Sequence, residues 1–231
     1  MVDIITPKVG VIVVAGGSGS RFGASMPKQF QFLGQRPVLA YSLNSFARAL
    51  PSSEIVVVVA EDRVAYWQNL ASRFDLPDHK VVVGGEQRYH SVLAGLEALS
   101  DDVEVVAVHD GARPLCSEAL IERCVSMAIS SGSAIPTIAP NDSLREVVAD
   151  GVSRALVRAN IRVVQTPQCF EAAILRRAYR QPYDPQFTDD ASLVENSGER
   201  VWLCDGEVEN LKITTSIDML LAEEILERRN G

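Results

Sequence analysis

Residues 14–30 read VAGGSGSRFGASMPKQF. An apolar, β-branched run, residues 11–15, leads straight into Gly16, Gly17 and Gly19. Glycines at that junction let a backbone come close to a phosphate and turn its N–H groups towards it. Two cations follow, Arg21 and Lys28. Fixed cations beside such a loop suit transfer of a phosphoryl or nucleotidyl group, where catalysis is mostly positioning and charge neutralisation. Two familiar glycine motifs fail on spacing. Counted from Gly17, a GxGxxG dinucleotide pattern needs glycine at 22, where Phe22 stands; a P-loop needs Gly-Lys-Ser/Thr, and Lys28 lies between Pro27 and Gln29. A tight strand-to-helix turn with solvated basic side chains is the structural alternative.

The charge distribution agrees with an anionic ligand. The chain has 231 residues and a net charge of −8. Residues 1–53 hold five basic side chains (Lys8, Arg21, Lys28, Arg36, Arg48) against one acid, Asp3, so the remaining 178 residues carry −12. The acidic balance argues against a nucleic-acid partner, which wants a basic surface. Four cysteines form no CxxC pair and no Cys/His cluster, so zinc and redox readings lack support. The apolar runs are strand-sized, too short for a signal or a membrane span, which makes a cytoplasmic protein with no membrane partner the default.

These residues need elements to position them. Apolar runs at 9–15, 55–60, 80–83, 103–108, 134–138, 162–165 and 201–204 lack polar alternation, as strands buried on both faces do. Helical periods lie between them, at 37–50, 91–99, 117–130 and 216–229. Ser117 is placed to cap the third, with Glu118 in its first turn; Ser216 is placed to cap the last, with Leu220, Leu221, Ile225 and Leu226 facing inward. The alternation predicts an α/β, doubly wound, mostly parallel sheet, Rossmann-like, with its ligand over the C-terminal strand ends. Residues 1–231 read as one domain. Two short runs, 144–148 and 152–157, flank Asp150-Gly151, a hairpin signal. Such a hairpin is marginal alone, so an arm at about 139–160 is expected to pack on a second copy of the chain.

Here the motifs carry a resemblance. AGGSGSRFGASMPKQF resembles the N-terminal signature of the IspD family of nucleotidyltransferases, the 2-C-methyl-D-erythritol 4-phosphate cytidylyltransferases. GGEQRYHSVLAGL (84–96) resembles the family's GG-x-x-R-x-x-SV-x-x-GL, VHDGARP (108–114) its VHDAARP, DSLR (142–145) its DT-x-K and ENLKITT (209–215) its N-x-KIT. QTPQCF (165–170) and TDDASLVE (188–195) match closely, so seven ordered segments span nearly the whole chain.

The resemblance implies a fold and a set of roles. Ala15, Gly16, Gly17 and Gly19 would wrap the CTP phosphates, with Arg21, Lys28 and Lys212 as the catalytic cations. Gly85, Glu86 and Ser91 would read the cytosine, although the family often has Asp at 86; Ser91 could equally cap a helix. Asp110, Arg113, Ser143, Arg158 and Thr166 would meet methylerythritol phosphate, Ser143 and Arg158 from the partner's arm in a homodimer. Asp110, at a strand end facing a triphosphate, would help hold Mg²⁺ or another divalent cation. The implied reaction is in-line attack of the acceptor's phosphate oxygen on the α-phosphorus of CTP, releasing pyrophosphate on the non-mevalonate route to isoprenoids. That nucleophile is already ionised near neutral pH, so His109 reads as structural rather than as a base. Arg88 is a brace or a ligand. Thr188-Asp189-Asp190 reads as a helix start capped by Thr188 rather than a metal site, and Cys169 as a buried free thiol. The alternatives are a ribitol-5-phosphate cytidylyltransferase, a nicotinamide-dependent oxidoreductase disfavoured by the broken GxGxxG, and a non-catalytic CTP-binding protein.

Overall fold

The structure, a computed structural model, describes residues 7–17 and 26–230. In chain order the strands are β1 (Val9–Val14), β2 (Phe32–Leu33), β3 (Arg36–Pro37), β4 (Glu54–Val59), β5 (Lys80–Val83), β6 (Val105–Asp110), β7 (Ser133–Ile138), β8 (Arg145–Ala149), β9 (Val152–Ala155), β10 (Val163–Val164), β11 (Gln168–Glu171) and β12 (Leu203–Asp205). The helices are α1 (Val38–Ala49), α2 (Val64–Ala71), α3 (Arg88–Ala98), α4 (Glu118–Ser131), α5 (Ala172–Ala178), α6 (Asp190–Asn196) and α7 (Ser216–Asn230).

The main sheet runs β10-β7-β11-β6-β1-β4-β5, with β12 on the other side of β7. Its β6-β1-β4-β5 half is parallel, whereas β11 is antiparallel to both β6 and β7 and β10 is antiparallel to β7. Valines of the central strands are buried, apart from Val14 at the rim, because helices cover both faces. One core gathers β1, β4 and β6 residues with Leu39, Leu43 and Phe46 of α1 and Leu120, Ile121 and Cys124 of α4. The other joins the opposite sheet face to Val92 and Leu96 of α3 and Leu175 of α5. The doubly wound expectation therefore holds, and β1, flanked by β4 on one side and β6 on the other, sits where strand order reverses.

Some local expectations need correction. Ser117 does cap α4, its Oγ accepting from the Leu120 N–H at 3.0 Å. α6 is capped by Asp189, not Thr188: Asp189 accepts from Ser192 N–H at 2.9 Å in a capping box. Helix α3 starts before Ser91, so that serine is inside the helix rather than at its cap. Ser216 lies within α7, whose start is tied instead by Thr214 and Thr215 N–H groups donating to Asp218. On α7 the buried face is Met219, Ala222 and Ile225, while Leu220 and Leu221 are exposed. Adjacent leucines cannot both join a stripe already set by 219, 222 and 225.

The hairpin β8–β9 forms a separate two-stranded sheet, and its turn has positive φ at Asp150 and Gly151, as a type I′ turn requires. Arg145 braces it, donating to the hydroxyl and carbonyl oxygens of Ser153. Cys169 is inaccessible, as a core thiol should be.

One ion pair at the far end of the sheet has a pH consequence. Glu54 on β4 accepts from Lys80 Nζ at 2.5 Å, from the Ser100 N–H at 3.2 Å and from the Ser100 hydroxyl. Burial disfavours its charge, but these donors outweigh that and hold its pKa down to about 2. A depressed carboxylate stabilises the fold above its unfolded pKa and loses that contribution as pH falls towards the folded value. Glu54→Gln should therefore lower the urea midpoint at pH 6, and the gap to the parent should shrink between pH 4.5 and pH 2. A gap that stays constant over that range would contradict the assignment.

Candidate active site

The C-terminal ends of β1, β4, β5 and β6 meet at one rim. Val14 on β1 pairs with Asp110 on β6, so the glycine segment and the carboxylate leave the sheet side by side. The Gly111 N–H donates to the Val14 carbonyl at 2.9 Å and the Ala15 N–H to Val58 at 2.7 Å, which locks the base of the loop. The buried Gln29 amide then donates to the carbonyls of Ala15 (2.6 Å) and Gly17 (3.0 Å). A methyl group added at Gly17 would meet nothing within 4 Å. Gln29 also ties this loop to Lys28, its neighbour in the helical turn Lys28–Phe30. Gly19 and Arg21 lie outside the described residues.

Beside the loop, Gly84 and Gly85 follow β5. Ser91 is buried and its hydroxyl lies 3.2 Å from the Gln87 carbonyl and 3.4 Å from that of Gly85. An added Cβ at Gly84 would stand 2.6 Å from Ser91 Oγ and 3.0 Å from Val58, so a side chain there must displace Ser91. Gly85 and Glu86 are exposed at this rim.

Asp110 is the hub. Its Oδ2 lies 2.8 Å from Lys212 Nζ and 3.8 Å from Arg113 Nε; its Oδ1 lies 3.4 Å from Arg88 Nε. Burial works against the carboxylate, but Arg88, Lys212 and Arg113 together hold its pKa well below the usual range. Arg88 is itself fixed by Asp190, which is inaccessible and accepts from Arg88 Nη2 at 2.6 Å and from the Tyr179 hydroxyl at 2.6 Å. Burial opposes the guanidinium charge, yet Asp190 and Asp110 raise its pKa above the ordinary value. Arg88 is thus a brace between two carboxylates.

Lys212 reaches Asp110 because residues 206–213 are pinned from beneath. Gln165 accepts from the Glu207 N–H at 3.1 Å and donates to the Glu207 carbonyl at 2.8 Å. Asn210 donates to the Thr166 carbonyl at 2.8 Å and its own carbonyl accepts from Arg113 Nη1 at 2.8 Å. The Ile213 N–H closes on Ala112 at 2.9 Å. Thr166 packs at the hub as well, its Oγ1 accepting from the Asp110 N–H at 3.1 Å. His109 is inaccessible and burial pushes its pKa down to about 4, so the ring is neutral near pH 7. That fits the structural role read for it.

The fold therefore brings Asp110, Arg113, Thr166 and Lys212 together, next to Ala15–Gly17 and the Gly85–Ser91 edge. Ser143 and Arg158 stand apart from this hub on the exposed arm, where Arg158 Nη1 donates to the Asn141 carbonyl at 2.7 Å. Motif reading missed Gln29, Gln165, Asn210 and Asp190 as positioning groups. The available signal was position: Gln29, Gln165 and Asp190 each adjoin a residue already singled out, and Asn210 lies two residues before Lys212.

Chemically, three cations around one carboxylate at a glycine-rich strand end suit a polyanionic substrate. Among the described residues no group of three or more acidic, histidine or cysteine side chains could hold a metal by itself. A lone carboxylate still fits Mg²⁺, which binds through one or two carboxylates together with substrate phosphates. Among the described residues no helix is long and apolar enough to cross a membrane.

Comparison with known proteins agrees with this site. A family model described as 2-C-methyl-D-erythritol 4-phosphate cytidylyltransferase (IspD) matches residues 9–228. The protein of that name from Porphyromonas gingivalis is 45% identical over 217 residues, covering 93% of this chain and 96% of its own. The one from Bacteroides fragilis is 41% identical, covering 93% and 98%. A crystal structure of 4-diphosphocytidyl-2C-methyl-D-erythritol synthase from Anaerococcus prevotii superposes with a TM-score of 0.82 at 27% identity, over 96% of this chain and 99% of that one. The Thermus thermophilus cytidylyltransferase gives a TM-score of 0.76 at 32% identity, over 95% and 99%. With the match running through both halves of the sheet and every segment of the rim, the chain belongs to the IspD family of 2-C-methyl-D-erythritol 4-phosphate cytidylyltransferases.

Proposed function

We propose that the protein transfers the cytidylyl group of CTP to 2-C-methyl-D-erythritol 4-phosphate, giving 4-diphosphocytidyl-2-C-methyl-D-erythritol and pyrophosphate in the non-mevalonate route to isoprenoids. The observation that carries this reading is the family match over residues 9–228, which takes in the hub where Lys212, Arg113 and Arg88 surround Asp110. A phosphate oxygen of the acceptor attacks the α-phosphorus in line and pyrophosphate leaves. Charge builds on the equatorial oxygens as it does so, and cations held in advance lower that barrier without reorganising. Arg21, Lys28 and Lys212 are assigned to that work. Gln29 keeps the loop's carbonyls turned away, which leaves the N–H groups of Gly16 and Gly17 for the phosphates.

Mg²⁺ bound with the triphosphate would add charge neutralisation between the phosphates. Asp110, the carboxylate of this hub, would hold it. The base is assigned to Gly85, Glu86 and Ser91, and the acceptor to Arg113, Thr166 and, from a second subunit, Ser143 and Arg158. Support for that dimer comes from the arm itself: Val147, Val148, Val152 and Val157 are all more than half exposed, an apolar load that an isolated hairpin does not carry well in water.

Pyrophosphate release from CTP should be screened against 2-C-methyl-D-erythritol 4-phosphate and ribitol 5-phosphate side by side. Turnover with the first and little with the second is expected; the reverse preference would reject the acceptor. Gly84→Ala is expected to raise KM for CTP by about tenfold, because the new methyl group displaces Ser91 from the base edge. An unchanged KM for CTP would remove Ser91 from that role.

A further inference from the structure

His109 takes no part in the transfer itself, yet both of its ring nitrogens are engaged. Nε2 lies 3.1 Å from the Arg113 carbonyl oxygen and Nδ1 lies 3.1 Å from Thr166 Oγ1. The ring is inaccessible and its nitrogens meet a carbonyl and a hydroxyl rather than a carboxylate, so it is neutral; a carbonyl oxygen can only accept, so Nε2 must carry the one hydrogen. Nδ1 is then an acceptor, and the hydroxyl of Thr166 must donate to it. Thr166 Oγ1 already accepts from the Asp110 N–H at 3.1 Å. A hydroxyl has one hydrogen and two lone pairs. The hydrogen and one lone pair are thus spent inside the protein, and one lone pair is left.

We infer that His109 is a positioning residue that turns the Thr166 hydroxyl so that it offers the bound acceptor a lone pair and no hydrogen, and thereby selects a substrate hydroxyl rather than a phosphate oxygen at that point. The inference rests on the proposed function and deepens it. Thr166 becomes the reader of the polyol chain, and the anionic end of the acceptor is left to Arg113 and Lys212. Phe46, edge-on to the His109 ring at 5.1 Å, and the buried surroundings hold the imidazole in this orientation. Thr166 is itself fixed by the Asn210 amide on its carbonyl oxygen, so the ring and the hydroxyl form one rigid unit.

Two conservative replacements separate the roles of the ring nitrogens. The amide oxygen of Asn can take the place of Nδ1, whereas the amide of Gln reaches the place of Nε2. His109→Asn is therefore expected to keep KM for 2-C-methyl-D-erythritol 4-phosphate within about threefold of the parent, and His109→Gln to raise it about tenfold, the size of one lost hydrogen bond. KM for CTP should not change in either. Thr166→Val should raise the acceptor KM like His109→Gln, and the double variant should be no worse than Thr166→Val alone. Losses that multiply, or Gln rescuing better than Asn, would overturn the inference.

A second measurement needs no histidine variant. Acceptor analogues with one hydroxyl replaced by hydrogen are compared on the parent and on Thr166→Val. One analogue should lose turnover with the parent and lose nothing further with the variant. If every analogue loses equally with both proteins, Thr166 reads no hydroxyl and the inference falls. A parent that turns over neither the acceptor nor its analogues rejects the functional reading, and this inference with it.

Discussion

Asp110→Asn is expected to lower kcat for pyrophosphate release by about a thousandfold, the scale seen when a preorganised charge at a reacting centre is removed. The substitution keeps the shape of the side chain and removes its charge. Lys212 loses the partner that holds its ammonium at 2.8 Å, and Arg113 loses the carboxylate 3.8 Å from its Nε. Lys212 then keeps its charge but not its place, Arg113 is left with the Asn210 carbonyl as its anchor, and the proposed ligand for Mg²⁺ is lost. Stability should suffer less than activity, because Arg88 retains Asp190 at 2.6 Å. Steady-state kinetics beside a thermal melt separate the two effects. A kcat within fivefold of the parent would show that Asp110 is not the hub.

The largest effect on folding is expected at the other end of that brace. Asp190 is inaccessible and its two oxygens are committed to Arg88 and to the Tyr179 hydroxyl. Removing one partner of a buried ion pair leaves the other charge without compensation, which costs about 3–5 kcal/mol. Arg88→Met strands the Asp190 carboxylate in the core and should lower the thermal midpoint by roughly 10 °C for a chain of this size. Asp190→Asn should cost less, since Arg88 keeps Asp110 as a partner and its side chain is about a quarter exposed. Combining Arg88→Met with Asp190→Leu should recover part of the loss, because an apolar pair need not be ionised. A midpoint that Arg88→Met leaves unchanged would mean the pair carries no stability.

The two cases also mark what was legible in the sequence. The valine runs of β1, β4 and β6 were plain because both faces are covered and nothing polar interrupts them. The arm was plain because Asp150-Gly151 must adopt positive φ and few other pairs would. Strand β11 was not: it is four residues long and runs antiparallel between β6 and β7, so it shares no pattern with the parallel core. Helix α2 was missed because it is eight residues long and buries only Trp67 and Leu70, too few to show a period. In the site, each cation and the carboxylate were read from their own motifs. Their mutual geometry was not legible, because it depends on pairs distant along the chain: Arg88 with Asp190 is 102 residues apart, and Arg113 with Asn210 is 97. Local chemistry names the parts, and only the sheet order brings them to one rim.

The acidic net charge of −8 excluded little about the site itself. Arg88, Arg113 and Lys212 all come from the acidic remainder of the chain, and each is held by an acid or a carbonyl. Folding builds the cationic pocket.

The most direct test of the account follows the oxygen atoms. 2-C-Methyl-D-erythritol 4-phosphate carrying ¹⁸O in its phosphate is incubated with CTP, Mg²⁺ and the protein, and the products are separated and weighed by mass spectrometry. In-line attack by the acceptor's phosphate on the α-phosphorus should put all of the label in 4-diphosphocytidyl-2-C-methyl-D-erythritol and none in pyrophosphate. Label in pyrophosphate, or CMP released in place of the diphosphate diester, would contradict it.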